Sequence, residues 1–200
     1  FSQLKDSQKL YCDAFCVPPG SNKNHFYGFT VGTPTSSHFR SGNLSSIVHF
    51  VAMDTESAID LAYMSPAQIR YVESELVAAK QTAEWTVAYG HRPLYCSNHG
   101  GQDIPKGNAV LRKAIETQLF DNEVDLVIQA HVHDYERSFP VYQEKLVSTN
   151  YTSKALFLVD VLHISAVAGF HSSCIVLGPA APVYVVNGAA GNREGNDHPP

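Results

Sequence analysis

Two histidines stand one residue apart in "QAHVHDYERSFPVY", residues 129–142, directly after the apolar run "DLVI". A third, His91, sits at the end of another apolar stretch, "EWTVAYGHRP", residues 84–93. The neutral imidazole nitrogen is the commonest protein ligand for zinc and a good one for iron, so three imidazoles brought together could hold a metal ion. With ten histidines in 200 residues, one His-x-His is expected about half a time by chance, and the spacing alone says little. Position says more. In open α/β sheets, ligands bind in the crevice outside the carboxyl ends of the strands, and His91, His131 and His133 each follow a strand-like run. Residues two apart in an extended segment project to the same side, so His131 and His133 are expected to face that crevice together. This placement favours metal binding over a polar strand cap. His25, His38, His49, His163, His171 and His198 lack such a setting and are expected on the surface or satisfied in the core.

The elements that must position these residues are legible as alternating patterns. "FYGFTV" (26–31) and "SIVHFVAM" (46–53) are rich in aromatic and β-branched residues and bounded by Gly, Pro, Ser and Asn, which marks strands. A helix is predicted from Ser65, with Pro66 at its first position and Gln68 placed to close a capping box. Ile69, Val72, Leu76 and Val77 are expected to form its one buried stripe. The next strand ends at His91, where Pro93 forces Arg92 out of helical geometry. A second helix opens near Asn108 and carries Val110, Leu111, Ala114, Ile115 and Leu119 on one face, before "DLVIQ" forms a buried strand. Strand, helix, strand, helix, strand predicts an α/β fold with a largely buried, at least partly parallel sheet.

Composition narrows the function. The length and the 44% hydrophobic content suit one core and one domain. A net charge of -5, with no block of Lys or Arg, leaves no electrostatic footprint for nucleic acid or anionic lipid. A bound phosphate would therefore need a source of positive charge other than lysine. "FSQLKDSQKL" has neither the basic start nor the apolar stretch of a secretion signal. The four cysteines, at 12, 16, 96 and 174, fix neither a pairing nor a compartment. Asn43-Leu-Ser and Asn150-Tyr-Thr are glycosylation acceptors if the chain is secreted.

Taken in order, "NHFYGFTVG", "VHFVAMDTES", "MSPAQIRYVESELVAAK", "VAYGHRPLYCSN", "DLVIQAHVHDYERSFPVY" and "APVYVVNGAAGNREG" resemble the purple acid phosphatases within the calcineurin-like metallophosphoesterases. The resemblance covers most of the chain except residues 150–179. It implies a layered α/β/β/α metallophosphoesterase sandwich and hydrolysis of phosphate monoesters at a binuclear centre of Fe and a second divalent metal (Zn, Mn or Fe). By the same resemblance, His91 and His131 correspond to ligands of the divalent metal and His133 to a ligand of the iron. His99 corresponds to a catalytic histidine that contacts the phosphate or helps protonate the leaving group. Tyr135, Glu136 and Arg137 are expected to fix the histidine loop, and "APVYVVNGAAGN" to be a core strand and a glycine-rich turn. A secreted or vacuolar/lysosomal location is implied, with a phosphate monoester substrate and no nucleic-acid or membrane partner.

The family's remaining metal ligands, two aspartates, a tyrosine and an asparagine, lie in blocks upstream of anything present in this sequence. Asp54 matches a later segment and does not replace them. The expectation is a partial metallophosphoesterase domain over residues 1–200, without its first strands and with little or no activity alone. Residues 1–142 would be the metal-binding βαβ part, 143–180 an atypical apolar insertion, and 181–200 the C-terminal family segment. Residues 154–180 invite a membrane reading, but Asp160, His163 and His171 interrupt the stretch. A charge near a bilayer centre costs about 2.5–3.5 kcal/mol, which favours buried strands or a retained intron. Two further readings are a non-catalytic remnant keeping the fold and at most one metal, and a mononuclear zinc hydrolase, which needs a general base that the sequence does not offer.

Overall fold

The computed structural model describes residues 25–32, 47–60, 62–97, 108–149 and 181–189. Its strands are β1 (Tyr27–Val31), β2 (Val48–Ala52), β3 (Trp85–Tyr89), β4 (Leu126–Gln129), β5 (Tyr135–Arg137), β6 (Val141–Tyr142), β7 (Lys145–Leu146) and β8 (Val183–Asn187). Its helices are α1 (Glu56–Asp60), α2 (Pro66–Thr82) and α3 (Ala109–Asp121). Six strands form one sheet in the order β1-β2-β3-β4-β8-β5. The four central strands are mutually parallel and the two outer ones antiparallel to their neighbours. A short β6–β7 hairpin stands apart. Alternating apolar runs and amphipathic helices predict this α/β layering.

Register explains the core. Val51, Ala88, Val127 and Tyr184 lie side by side across β2, β3, β4 and β8, and all belong to the larger apolar cluster with Val72 and Leu76 of α2 and Leu111, Ile115 and Leu119 of α3. The residues one position earlier, Phe50, Val87, Leu126 and Val183, point to the opposite face and form a second cluster. Both faces of the central strands are therefore apolar, as continuous hydrophobic runs require.

In α2, Val72 and Leu76 are buried as predicted, but Val77 is 52% exposed. At 100° per residue Val77 turns away from the Val72–Leu76 line, and Ala79, one turn beyond Leu76, completes the stripe. Only half of the capping box forms. Ser65 Oγ accepts from Gln68 N at 3.2 Å, while the Gln68 side chain is buried and turns to Asp54, accepting from its N at 2.7 Å and donating to its O at 3.0 Å. The competing partner is the unpaired backbone just past β2. In α3, capped by Asn108, Leu111, Ile115 and Leu119 are buried, and so is Glu116. Glu116 bonds the Tyr95 hydroxyl and accepts from Gln143 N at 2.9 Å, while Glu144 N donates to Tyr95 Oη at 3.0 Å. These contacts hold the β6–β7 turn, whose two residues both have positive φ.

Candidate functional site

Because β2, β3, β4 and β8 are parallel, their carboxyl ends share one edge of the sheet. The segments leaving that edge carry Thr55 and Glu56, Gly90 to Arg92, His131 to Asp134, and Gly188. His91 and His131 meet there. Nδ1 of His131 stands 3.2 Å from Nε2 of His91, with the rings nearly perpendicular and their centroids 5.1 Å apart. Arg92 packs behind them. Its Nη1 lies 2.7 Å from Nε2 of His131, and its Nε and Nη2 donate to the two carboxylate oxygens of Glu56 at 2.7 and 3.1 Å. Glu56 is also 3.7 Å from His91 Nε2.

Electrostatics favour a neutral His91. Burial is the main cause holding its pKa below the ordinary imidazole range; Glu56 pulls it upward, and the charges of His131, Arg92 and His133 push it down again. Two imidazole nitrogens bound to one tetrahedral zinc at about 2.0–2.1 Å stand roughly 3.3 Å apart. The 3.2 Å separation of the facing nitrogens fits two corners of such a shell. Among the described residues no group of three or more His, Cys, Asp or Glu side chains could hold a metal ion. The pair alone would supply two of the four corners of such a shell.

His131 does not take the extended conformation expected of it. His131 has φ 65°, and Val132 N donates back to Ala130 O at 2.8 Å. This is the rare positive-φ γ-turn, strained for a residue with a side chain. A turn, not an extended segment, aims the His131 ring. His133 is partly buried and close enough for its charge to be felt at His91. His99 lies outside the described residues, as do Cys12, Cys16, Cys174, His38, His163, His171, His198, both glycosylation acceptors and the 154–180 stretch.

Three supports hold the turn and its neighbour, and none was singled out from the sequence for this role. Buried Gln129, at the last position of β4, accepts from Leu94 N at 3.1 Å and donates to Arg92 O at 2.8 Å, locking the segment after His91 onto the strand before His131. Thr55 Oγ1 accepts from Arg92 N at 2.8 Å. Gly188 packs against the histidine turn, donating its N–H to Asp134 O at 3.1 Å, and a Cβ there would lie 2.0 Å from Val132 O. A lone polar residue closing an apolar strand was the one sequence signal for Gln129. In the Tyr-Glu-Arg sequel, Glu136 accepts from Ser97 N at 2.7 Å and from Cys96 Sγ at 3.4 Å, in the segment that follows His91. Asp54 caps Ser57 N at 3.0 Å and pairs with His25 at 3.2 Å.

The calcineurin-like phosphoesterase profile matches residues 9–135. Acid phosphatase type 7 of Homo sapiens is 26% identical over 193 residues, covering 88% of this chain and 35% of its own length. The probable purple acid phosphatase 20 of Arabidopsis thaliana is 31% identical over 127 residues, covering 63% of this chain and 26% of that one. In fold, the chain is similar to the purple acid phosphatase PPD1 of yellow lupin, Lupinus luteus, with a TM-score of 0.59 at 18% identity over 95% of this chain and 27% of the other. The chain thus spans about a third of the human relative's length. No helix among the described residues is long and apolar enough to cross a membrane. With more than half of its length matched by that profile, and with its strand-end histidines set in the corresponding fold, the chain belongs to the calcineurin-like phosphoesterase family.

Proposed function

We propose that this chain carries the histidine half of a phosphatase centre which, in the intact protein, hydrolyses phosphate monoesters under acidic conditions. The observation that carries the reading is the 3.2 Å approach of His131 Nδ1 to His91 Nε2 at the carboxyl edge of the sheet. Family membership implies divalent metal ions. His91 and His131 would hold one, a Zn, Mn or Fe ion, and His133 would contribute to an adjoining Fe. When bound, such a pair supplies positive charge for phosphate oxygens and lowers the pKa of water.

The chain's own residues supply orientation and a low local charge. Arg92 is paired with Glu56, so it adds little net charge at this edge, and the chain's balance of -5 offers no substitute. A phosphate there would depend on the metals for neutralisation. His99 is assigned contact with the phosphate or proton delivery to the leaving group. Residues 1–142 would form the metal-binding part of a partial domain and 181–200 its C-terminal segment. A secreted or vacuolar/lysosomal setting is the matching location.

A second reading, a non-catalytic remnant or pseudoenzyme with at most one metal, is supported by one observation: among the described residues no group of three or more His, Cys, Asp or Glu side chains could hold a metal ion. Metal content by mass spectrometry, on wild type beside His131→Ala and His133→Ala, tests the ligand assignment. Near-stoichiometric metal lost in both variants supports it, and metal retained in both overturns it. A chromogenic phosphate monoester assay completes the test. The 200-residue chain is expected to be inactive alone, and a longer chain supplying the carboxylate ligands to be active. Inactivity of that longer, metal-loaded chain would favour the remnant.

A further inference from the structure

The register of the sheet sets another histidine on the same edge. Tyr27 of β1 pairs with Ala52 of β2, and Ala52 with Tyr89 of β3. β1 runs against its neighbour, so its amino end lies at the carboxyl end of β2. Two positions outward from that row stand His25, Asp54 and His91. With neighbouring strands about 4.8 Å apart, the two spacings from His25 to His91 amount to about 10 Å, with Asp54 between them. The pairing of His25 with Asp54 carries the register one step past the strands.

His25 is held at one end only. Its Nδ1 lies 3.2 Å from Asp54 Oδ2, and its Nε2 makes no hydrogen bond among the described residues. The side chain is 31% exposed, so a ligand can reach it. Asp54 is fixed more firmly than a surface pair needs. Its Oδ1 accepts from Ser57 N at 3.0 Å, and buried Gln68 bonds both its N and its O. On the other side of the pair, Phe26 is buried against Tyr71 with ring centroids 5.3 Å apart, which anchors the backbone next to His25. A ring pinned through one nitrogen by a carboxylate, on supports of its own, is arranged as binding sites arrange a contact residue. One row inward, Tyr89 Oη donates to Tyr27 Oη at 3.0 Å across Ala52, adding phenol hydroxyls between the same strands.

We propose that His25, oriented by Asp54, contacts the alcohol part of the substrate, and that the preferred phosphate monoesters are those of polyols, with the phosphate at the His91 side and a hydroxyl at His25. A hydroxyl both donates and accepts, so the match holds whichever nitrogen of His25 carries the proton. Asp54 acts through His25 and is a positioning residue. The assignment rests on the phosphatase reading of this edge.

The test uses the longer, metal-loaded chain as wild type, His25→Ala and Asp54→Asn, with two esters of the same carbon chain, a hexitol phosphate and hexyl phosphate. The readout is the ratio of their kcat/KM values, in which any loss of folded protein cancels. Wild type should favour the hexitol ester. The ratio should fall about fivefold or more in His25→Ala, the worth of one hydrogen bond, and part of the way in Asp54→Asn. A wild type without that preference, or a ratio that His25→Ala leaves unchanged, overturns the proposal. A ratio unchanged in Asp54→Asn alone overturns the positioning role. If the longer chain hydrolyses neither ester, the phosphatase reading fails, and calorimetric titration with the same two compounds decides the subsite. A hexitol preference lost in His25→Ala then supports it, and the same affinities in both proteins overturn it.

Discussion

A side chain at position 188 has nowhere to go, since its Cβ would stand 2.0 Å from the carbonyl oxygen of Val132 and 2.8 Å from its carbonyl carbon. Gly188→Ala must therefore push the histidine turn away from β8. The expected cost is about 1–3 kcal/mol, typical of overpacking, read as a lower urea midpoint at unchanged slope. Gln129→Leu keeps the volume of the last residue of β4 but strands Leu94 N and Arg92 O without their side-chain partner. Unsatisfied buried groups cost about 1–3 kcal/mol each, so a loss of about 2–4 kcal/mol is expected in the same titration. Neither effect can be read from hydrophobic periodicity. His91, His131 and His133 are visible in the sequence because a motif sits beside a strand. Arg92, Glu56 and Gly188 matter through contacts between segments far apart in the chain, which leave no local pattern.

At the scale of elements, α2 separates what periodicity does and does not reveal. Leu76→Ala should cost about 2–5 kcal/mol through the cavity it leaves, whereas Val77→Ala should stay within about 0.5 kcal/mol, as for surface positions, because Leu76 is fully buried and Val77 faces solvent. Paired thermal melts would check this; a comparable loss at Val77 would contradict the stripe. Ser65→Ala should cost about 1 kcal/mol, the usual value of an N-cap, because Ser65 Oγ accepts from Gln68 N. The strands and long helices were legible because their signals lie within a few residues. The left-handed turn at His131 was not, because its φ of 65° runs against local preference and is held by Gly188 and the ladder around it. The short α1 and the β6–β7 hairpin escaped for a related reason. Buried Glu116 and Tyr95 hold that hairpin from a distance.

For the molecule as a whole, a ligand that binds only the folded chain stabilises it by mass action. Free zinc at a hundred times its dissociation constant should raise the unfolding free energy by about 2.7 kcal/mol in wild type and leave His131→Ala unmoved. Calorimetry with and without zinc reads the difference, and an equal rise in both would place the ion elsewhere. The parallel sheet also orders events in time. β8 lies between β4 and β5, yet it comes from the far end of the described chain. Among the described strands, β4 has an open edge and β5 has no sheet partner until Val183–Asn187 arrives, a long-range closure of the kind that slows folding and exposes strand edges to other chains. Gly188 reaches the histidine turn only with that strand. A nascent chain on the ribosome therefore holds its strand-end histidines before it holds the turn that aims them.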